Sequence, residues 1–250
     1  MIKLKSLFSI VLPFFLLLNC FGQKPPLEKS IKSTDSLDHA PWDILLKKYV
    51  DEHGNVDYAG FKKDTGLLDN YLDYLADNPI ADTAEKEERL AYYINLYNAG
   101  TVHLILEHYP LKSIKDVFRP WGKDWVRIGS NMYSLGEVEH EMLRKMAEPR
   151  IHFAINCASY SCPKLLNEAY TASKIEEQLE RATSHFINDP SKNKISRDGV
   201  ELSKIFKWYR DDFTKVKSLI DYLNTYADSK ISQDSDIDYL MYDWGLNEKR

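Results

Sequence analysis

The feature that most constrains the fold is a long stretch, residues 84–108, in which apolar side chains occur on nearly every side of a helix. From Leu90 onward almost no face of this helix is polar, and Pro110 ends it. A surface helix keeps one polar face, so a helix that is apolar all round must be surrounded by protein. The stretch therefore predicts the central buried helix of a globular domain.

Two asparagines, Asn95 and Asn98, interrupt this apolar helix. Residues three apart on a helix are neighbours on one face, so the two amides should lie side by side. Because a buried amide needs hydrogen-bond partners, something polar must face them. Two interpretations stay open: the amides hold the backbone of a loop, or they line a site and bind an imidazole or a substrate carbonyl.

Shorter periodic segments surround the central helix. Helices are predicted at residues 42–49, 67–76, 135–147, 174–188, 204–213 and 216–227. Strands are predicted at 56–61 and 151–156, and as hairpins that pair 125–128 with 132–135 and 194–196 with 200–202. Together these segments predict an α+β fold, a helix-rich single domain with a long buried central helix and a small antiparallel sheet.

Three of the predicted helices begin with the spacing of a capping box, in which a short polar residue is followed three residues later by glutamate. The pairs are Asp82 with Glu85, Ser134 with Glu137, and Ser173 with Glu176. Each pair predicts the start of a helix.

The N-terminus has the pattern of an export signal. Lys3 and Lys5 precede an apolar run, residues 7–18, which is too short for an ordinary membrane-spanning helix. The run ends in a sequence that resembles a bacterial lipobox, with Cys20 as the residue that would receive the lipid. We therefore expect a lipoprotein signal at 1–20, a flexible tether at 21–40 and one globular domain at 41–250. The alternative is a soluble periplasmic or secreted protein that is cleaved near residue 22.

Charge and composition limit the possible partners. Without Lys3 and Lys5 the formal net charge falls from −5 to −7, and no basic run offsets it, so nucleic acid is not expected as a partner. The 16 tyrosines and five tryptophans suit a groove for a peptide or glycan, or equally a tyrosine-rich core. We expect the membrane as a partner through the lipid on Cys20, with a peptide, a glycan or an envelope protein as ligand, and no cofactor.

The segment most able to carry chemistry follows the predicted strand 151–156. That strand leads into a small polar loop that begins at Asn156 and Cys157 and also contains Cys162. Three interpretations of the cysteines stay open. They form a disulfide, as thiols often do after export; Cys157 is a nucleophile with a lowered pKa; or both bind a metal ion together with a histidine.

The choice of a histidine partner for Cys157 depends on the strand. Alternation along a strand would place His152 on the face opposite Cys157, about 16 Å away along the chain. His140 is then the better candidate for the base, since the predicted helix 135–147 would leave it partly buried near the core. In this hypothesis Asn156 or Asn95 supports the oxyanion or orients the base.

Several motifs occur in a recognisable order. They are AYYINLYNA at 91–99, EHE at 139–141, PRIHFAINC at 149–157, SCP at 161–163, LSKIFKWY at 202–209 and YDWGLN at 242–247. In these motifs the chain resembles the family known as domain of unknown function 547. The resemblance implies one domain over about 42–247, and it marks His140, His152, Asn156, Cys157 and Cys162 as motif positions. It implies no activity.

Three functions remain. The one favoured by the sequence is a cell-envelope lipoprotein that binds a ligand or partner beside a loop crosslinked by Cys157 and Cys162, with Asn95, Asn98 and His152 as further binding residues. The second is a thiol-dependent hydrolase or acyl transferase with Cys157 as nucleophile and His140 as base. The third is a metal site made of histidine and cysteine.

Overall fold

The predicted central helix is confirmed in the computed structural model, which describes residues 37–196 and 199–249. The helix runs from Lys86 to His108, and every residue from 90 to 102 is buried. The segments packed around it belong to one compact unit, Ser36–Arg250. A helix without a polar face is thus enclosed on all sides, as the sequence predicts.

The elements follow one another in this order. The helices are α1 (Ala40–Tyr49), α2 (Tyr58–Phe61), α3 (Thr65–Asp77), α4 (Lys86–His108), α5 (Leu135–Glu137), α6 (Ile175–Asn188), α7 (Ile205–Trp208), α8 (Arg210–Phe213) and α9 (Leu219–Tyr226). The strands are β1 (Val126–Ile128), β2 (Asn131–Tyr133), β3 (Lys194–Ile195), β4 (Val200–Leu202) and β5 (Ile237–Tyr239). Single turns of 3₁₀-helix occur at Lys62–Asp64, Ile114–Asp116 and Ala172–Lys174.

The strands form two small sheets. Strands β1 and β2 make an antiparallel hairpin in which Val126 pairs with Tyr133. Strands β3 and β4 are also antiparallel, and β5 joins β4 in parallel, with Val200 opposite Ile237. The helix-rich α+β class is confirmed, as are both hairpins, although the turn residues 197–198 lie outside the described residues. The parallel strand β5 was not predicted, because its partner is distant in sequence.

Two hydrophobic clusters fill the interior. The larger surrounds α4 and takes in residues from α1, α3 and the 149–170 region. The smaller is rich in phenylalanine and joins α6, α7, α8 and α9, with Phe153, Phe186 and Phe206 at its centre. The segment 151–155 lies between the clusters, since Ile151 belongs to the larger one and Phe153 to the smaller.

The predicted strand at 151–156 is wrong. Residues Pro149–Phe153 form a 3₁₀-helix instead, in which the Glu148 side chain accepts the N–H of Arg150 and proline occupies the first turn. A segment buried on all sides shows no apolar period, so the sequence pattern cannot separate a strand from a buried helix. Strand alternation therefore does not separate His152 from Cys157.

The other predicted strand that fails is 56–61. Val56 makes only isolated bridges, to Val50 and Glu248, and the chain then turns into α2. The physical reason is Asp57, whose carboxylate accepts the N–H of Gly60 and caps this short helix.

One of the three predicted capping boxes is confirmed, that of Ser134 and Glu137. Helix α4 begins after Glu85 without a side-chain cap, and α6 begins after Lys174 without one. The predicted helix 204–213 is divided at Tyr209 into α7 and α8. The last helix, predicted from residue 216, begins at Leu219, where Ser218 caps it.

The predicted export signal, the lipidation site Cys20 and the tether up to residue 36 lie outside the described residues. Across residues 37–196 and 199–249, the helices are too short or too polar to span a bilayer.

Candidate active site

A loop that begins at Asn156 is held by the central helix. Asn98 of α4 donates to the carbonyl of Ala154 at 3.0 Å and accepts the N–H of Asn156 at 2.8 Å. The Asn156 side chain in turn donates to the carbonyl of Pro163 and accepts the N–H of Ala158. Both amides are therefore occupied in fixing the loop 154–163.

The same loop has an unusual backbone conformation beside Cys157. Ala158 has φ of 59° in the left-handed region, although it carries a Cβ and is completely buried. Non-glycine residues in this region are strained and persist where the surroundings hold them, often at functional sites. Here the hydrogen bond from Ala158 N–H to Asn156 holds the turn, and this turn presents the side chain of Cys157.

Cys157 and Cys162 are free thiols, so the predicted disulfide is not formed. The Cys162 sulfur accepts the backbone N–H of Cys157 at 3.0 Å and lies 3.9 Å from the carbonyl of Ile155. The buried thiol of Cys162 thus closes the loop by hydrogen bonds. The Cys157 thiol is partly exposed.

Polar neighbours stabilise the thiolate of Cys157. Its pKa is lowered from 9.0 to about 7, chiefly by a hydrogen bond from the Cys162 thiol and further by the hydroxyls of Ser159 and Tyr242. Those oxygens lie 2.8 Å and 3.4 Å from the sulfur. Burial raises the pKa of Cys162, which keeps that thiol protonated and able to donate. Of the two thiols, Cys157 is therefore the one whose thiolate is favoured.

The C-terminal segment completes this side of the site. It pairs with the loop through the N–H of Tyr160 to the carbonyl of Gly245, and through the N–H of Asn247 to the carbonyl of Ala158. This pairing brings Tyr242 to the sulfur of Cys157 and places Trp244 beside it, with 4.5 Å between the two ring centroids.

His152 belongs to a buried charged group. Its Nε2 donates to Oδ2 of Asp212 at 2.8 Å, and Nε of Arg144 donates to the same oxygen at 2.6 Å. The imidazole stacks on Tyr209 with 3.9 Å between ring centroids. The residue is only 2% exposed, and its Nδ1 has no hydrogen-bond partner.

The protonation states follow from these contacts. Burial lowers the pKa of His152, so the ring is neutral at pH 7, while the hydrogen bond from His152 and then that from Arg144 lower the pKa of Asp212. A neutral imidazole that donates through Nε2 carries its lone pair on Nδ1. His152 therefore offers a fixed and unoccupied proton acceptor.

His140 does not lie as predicted. It belongs to a helix that begins as α5, widens into a π-helix at Val138–Leu143 and ends as a 3₁₀-helix at Arg144–Met146. Its side chain is 49% exposed, and Nδ1 accepts from Nη1 of Arg144 at 3.3 Å. The prediction of a partly buried histidine near the core is wrong, because the wider turn directs Glu139 inward and His140 outward.

Both histidines and Cys157 nevertheless line one cavity of about 320 Å³. Its walls are mostly aromatic: Tyr97, Trp121, Trp208, Tyr209, Tyr242 and Trp244. Glu139 also lines it, buried at 5% exposure, with one oxygen 3.4 Å from the Tyr97 hydroxyl and the other without a hydrogen-bond partner. The volume and the apolar walls suit a small ligand.

The remaining predicted site residues are divided between the cavity and the scaffold. Cys162 lines the cavity, whereas Asn95, Asn98 and Asn156 do not. Asn95 exchanges two hydrogen bonds with the backbone of Tyr170, at 2.7 Å and 3.0 Å. Within the described residues, no group of three or more histidine, cysteine, aspartate or glutamate side chains is arranged to hold a metal ion.

Sequence reasoning missed several side chains of the site. Tyr209, Tyr242 and Trp244 belong to the motifs at 202–209 and 242–247, so the family resemblance could have suggested them. Asp212 carries no local signal, because it follows its histidine by 60 residues and lies outside every motif.

Comparison with known proteins relates one segment of the chain to a family. Residues 81–187 match the family model described as "Protein of unknown function, DUF547". No curated protein matches the chain, and no solved structure does. The matched segment contains α4, Glu139, His152, Cys157 and Cys162, whereas Asp212 and Tyr242 follow it. Over residues 81–187 the chain is thus similar to the DUF547 family.

Proposed function

We propose that this protein is a thiol-dependent hydrolase or acyl transferase, with Cys157 as its nucleophile. The observation that carries the proposal is a free thiol with a lowered pKa, in the same aromatic cavity as a buried histidine whose Nδ1 is unoccupied. Nucleophilic thiols need this combination of thiolate stabilisation, access and a nearby base.

His152, rather than His140, is assigned as the base. Asp212 fixes the tautomer and the orientation of His152, which leaves Nδ1 as the proton acceptor. In His140 the Nδ1 accepts a hydrogen bond from Arg144, so its lone pair is occupied. A base oriented by a third group through the opposite ring nitrogen is the arrangement found in catalytic triads.

The reaction would proceed in two halves. The Cys157 sulfur attacks the carbonyl carbon of an ester or amide, forming an S–C bond, while Nδ1 of His152 receives the thiol proton. The bond from carbon to the leaving oxygen or nitrogen then breaks, and His152 returns the proton to the leaving group. Water, or an acceptor alcohol or amine, attacks the thioester next and gives its proton to His152. The S–C bond then breaks, and His152 returns that proton to the sulfur of Cys157.

Stabilisation of the oxyanion is assigned to a side chain. The backbone N–H groups of Cys157 and Ala158 are already bonded, to Cys162 and Asn156. The Tyr242 hydroxyl lies 3.4 Å from the nucleophilic sulfur. The hydrogen that it gives to the thiolate is released to another acceptor once the sulfur forms its bond to carbon. A donor at that position can serve the developing negative charge.

The test is acylation of the full chain by p-nitrophenyl acetate, with peptide mass spectrometry to locate the acetyl group. We expect a burst of nitrophenol and an acetyl thioester on Cys157, with Cys162 unmodified because it is buried and protonated. His152→Gln should slow release of the acetyl group by roughly 10²–10⁴-fold, the usual contribution of a general base.

His140→Gln is the matched control, since it removes the other histidine of the same cavity. It should release the acetyl group at the wild-type rate. If His140→Gln stops turnover and His152→Gln does not, the base is misassigned. Absence of acetyl-Cys157 in a wild-type protein whose Cys157 reacts readily with iodoacetamide would refute the nucleophile itself.

A binding protein without catalysis is the second candidate, supported by the aromatic wall of the cavity. Trp208 stacks on Trp244 at 5.8 Å, and Trp208 remains 46% exposed at the rim. Such a surface suits a peptide or a glycan. This candidate predicts saturable ligand binding without any acylation of Cys157.

We propose in addition that the protein is exported and anchored by lipid on Cys20. The support is the signal-like sequence at 1–20. Mass spectrometry of the N-terminal peptide should find an acylated Cys20, and Cys20→Ser should release the protein from the membrane fraction. Recovery of unmodified Cys20 in an uncleaved chain would refute the anchor.

A further inference from the structure

The proposed reaction gives no part to Glu139, a buried carboxylate that lines the cavity. The carboxylate of Glu139 lies inside the protein, and its Oε1 has no hydrogen-bond partner. A buried carboxylate oxygen without a partner is costly, so native structures usually satisfy it with a donor. The missing donor should therefore come from whatever occupies the cavity.

The protein offers the Glu139 carboxylate hydroxyl groups but no cation. Tyr97 approaches the other oxygen at 3.4 Å, a long hydrogen bond, and the Tyr209 hydroxyl also interacts with this carboxylate. Among the described residues, the ionisable nitrogen within ion-pair distance of Oε1 is His140 Nδ1, at 3.8 Å. Because that nitrogen accepts from Arg144, it carries no hydrogen to give. Arg144 itself bonds to Asp212 and His140.

The walls around this carboxylate favour a cation. No lysine or arginine lines the cavity within the described part of the chain, and its faces are those of tryptophan and tyrosine. Aromatic faces attract ammonium groups. Two cations of the protein already use rings of this wall from outside: Lys115 Nζ lies 5.2 Å from the Trp244 ring, and the Arg144 guanidinium lies 5.4 Å from the Tyr209 ring.

We propose that the cavity binds a primary ammonium group, with Glu139 as its counter-charge and the aromatic walls as its surroundings. Primary amines suit the site better than quaternary ones, because a carboxylate oxygen accepts hydrogen bonds and a quaternary ammonium has none to donate. One part of this inference rests on the proposed function: the acyl compound that Cys157 attacks, or the acceptor of its acyl group, carries a free amine. Recognition of the amine can be tested separately.

The probe is n-butylammonium, titrated into the full chain and followed by tryptophan fluorescence and by protection of Cys157 from iodoacetamide. Tetramethylammonium, n-butanol and butyrate serve as comparison ligands at matched ionic strength. We expect n-butylammonium to bind and to slow alkylation of Cys157. The three comparison ligands should bind with at least tenfold lower affinity.

Glu139→Gln should weaken n-butylammonium binding about tenfold to a hundredfold, the usual effect of removing the charge from a charged hydrogen bond. Glu141→Gln is the matched control, because Glu141 lies on the same helix with 65% of its side chain exposed, and it should bind as the wild type does. Should Glu139→Gln fail to fold, the four ligands compared on the wild type still decide the proposal. Equal binding of n-butylammonium, n-butanol and tetramethylammonium overturns it.

The binding result is independent of catalysis. Cys157→Ala should retain n-butylammonium binding, because the ammonium site does not include the sulfur. Binding without acylation would refute the proposed enzyme and keep the amine site. Acylation by p-nitrophenyl acetate without any preference for the ammonium ligand would keep the enzyme and refute the amine site.

Discussion

Replacement of Asn98 by leucine tests whether the central helix fixes the loop 154–163, which carries Cys157. Leucine has nearly the size of asparagine, so the change removes two buried hydrogen bonds without leaving a large cavity. The carbonyl of Ala154 and the N–H of Asn156 would each lose a partner inside the protein. An orphaned buried group costs about 1–3 kcal/mol, which gives a loss of roughly 2–6 kcal/mol for the pair.

Asn95→Leu is the matched control for this perturbation. Asn95 lies one helical turn away and is completely buried. It also exchanges two hydrogen bonds with the backbone, but its partner is Tyr170 and not the loop 154–163. Urea unfolding should therefore report a similar loss of stability for both variants. Only Asn98→Leu should alter the chemistry of Cys157.

The assay for that chemistry is the pH dependence of Cys157 alkylation, followed by peptide mass spectrometry under conditions in which the variants remain folded. Loosening of the loop should return the thiol pKa from about 7 toward 9.0, which lowers the thiolate fraction at pH 7 by up to about fiftyfold. Asn95→Leu should leave the alkylation profile unchanged. Equal profiles for the wild type and folded Asn98→Leu would refute the idea that Asn98 maintains the reactive thiol.

Two further predictions concern stability. Burial lowers the pKa of His39 from 6.5 to about 4. As the pH falls, His39 is therefore protonated in the unfolded chain before it is protonated in the folded protein. The free energy of unfolding should fall by up to about 3 kcal/mol between pH 6.5 and 4. Urea unfolding at several pH values should show a smaller fall in His39→Gln, and an identical fall would contradict the assignment. Gly54 has φ of 81°, and an added Cβ would lie 2.3 Å from Cβ of Lys164, so Gly54→Ala should lose more than about 1 kcal/mol. Gly66→Ala in α3 meets no atom within 4 Å and should gain roughly 0.5–1 kcal/mol; thermal melts that rank the two alanine variants the other way would be inconsistent with this packing.

Local sequence patterns were sufficient to predict an element where residues that are neighbours in sequence are also neighbours in space. The apolar stretch at 84–108 predicted the buried central helix, the turns near Gly129 and Gly199 predicted two hairpins, and the Ser134–Glu137 spacing predicted a capped helix start. Each of these features depends on contacts within a few residues or on a complete apolar surface, so the sequence alone determines it.

The site itself depends on contacts between distant segments. The sequence could not show that residues 149–153 form a 3₁₀-helix rather than a strand. This segment is buried between the two hydrophobic clusters, and burial on all sides removes the apolar period that distinguishes a helix from a strand. That one difference makes His152, which the predicted strand had excluded, a candidate base in our proposal. The tertiary structure also brought Asp212 to His152 across 60 residues and Tyr242 to Cys157 across 85. The sequence by itself determined where the two cysteines of the loop lie. Only the packing of distant segments decided that their thiols are free and that Cys157 shares a cavity with His152, because contacts form between atoms that meet in space regardless of their separation along the chain.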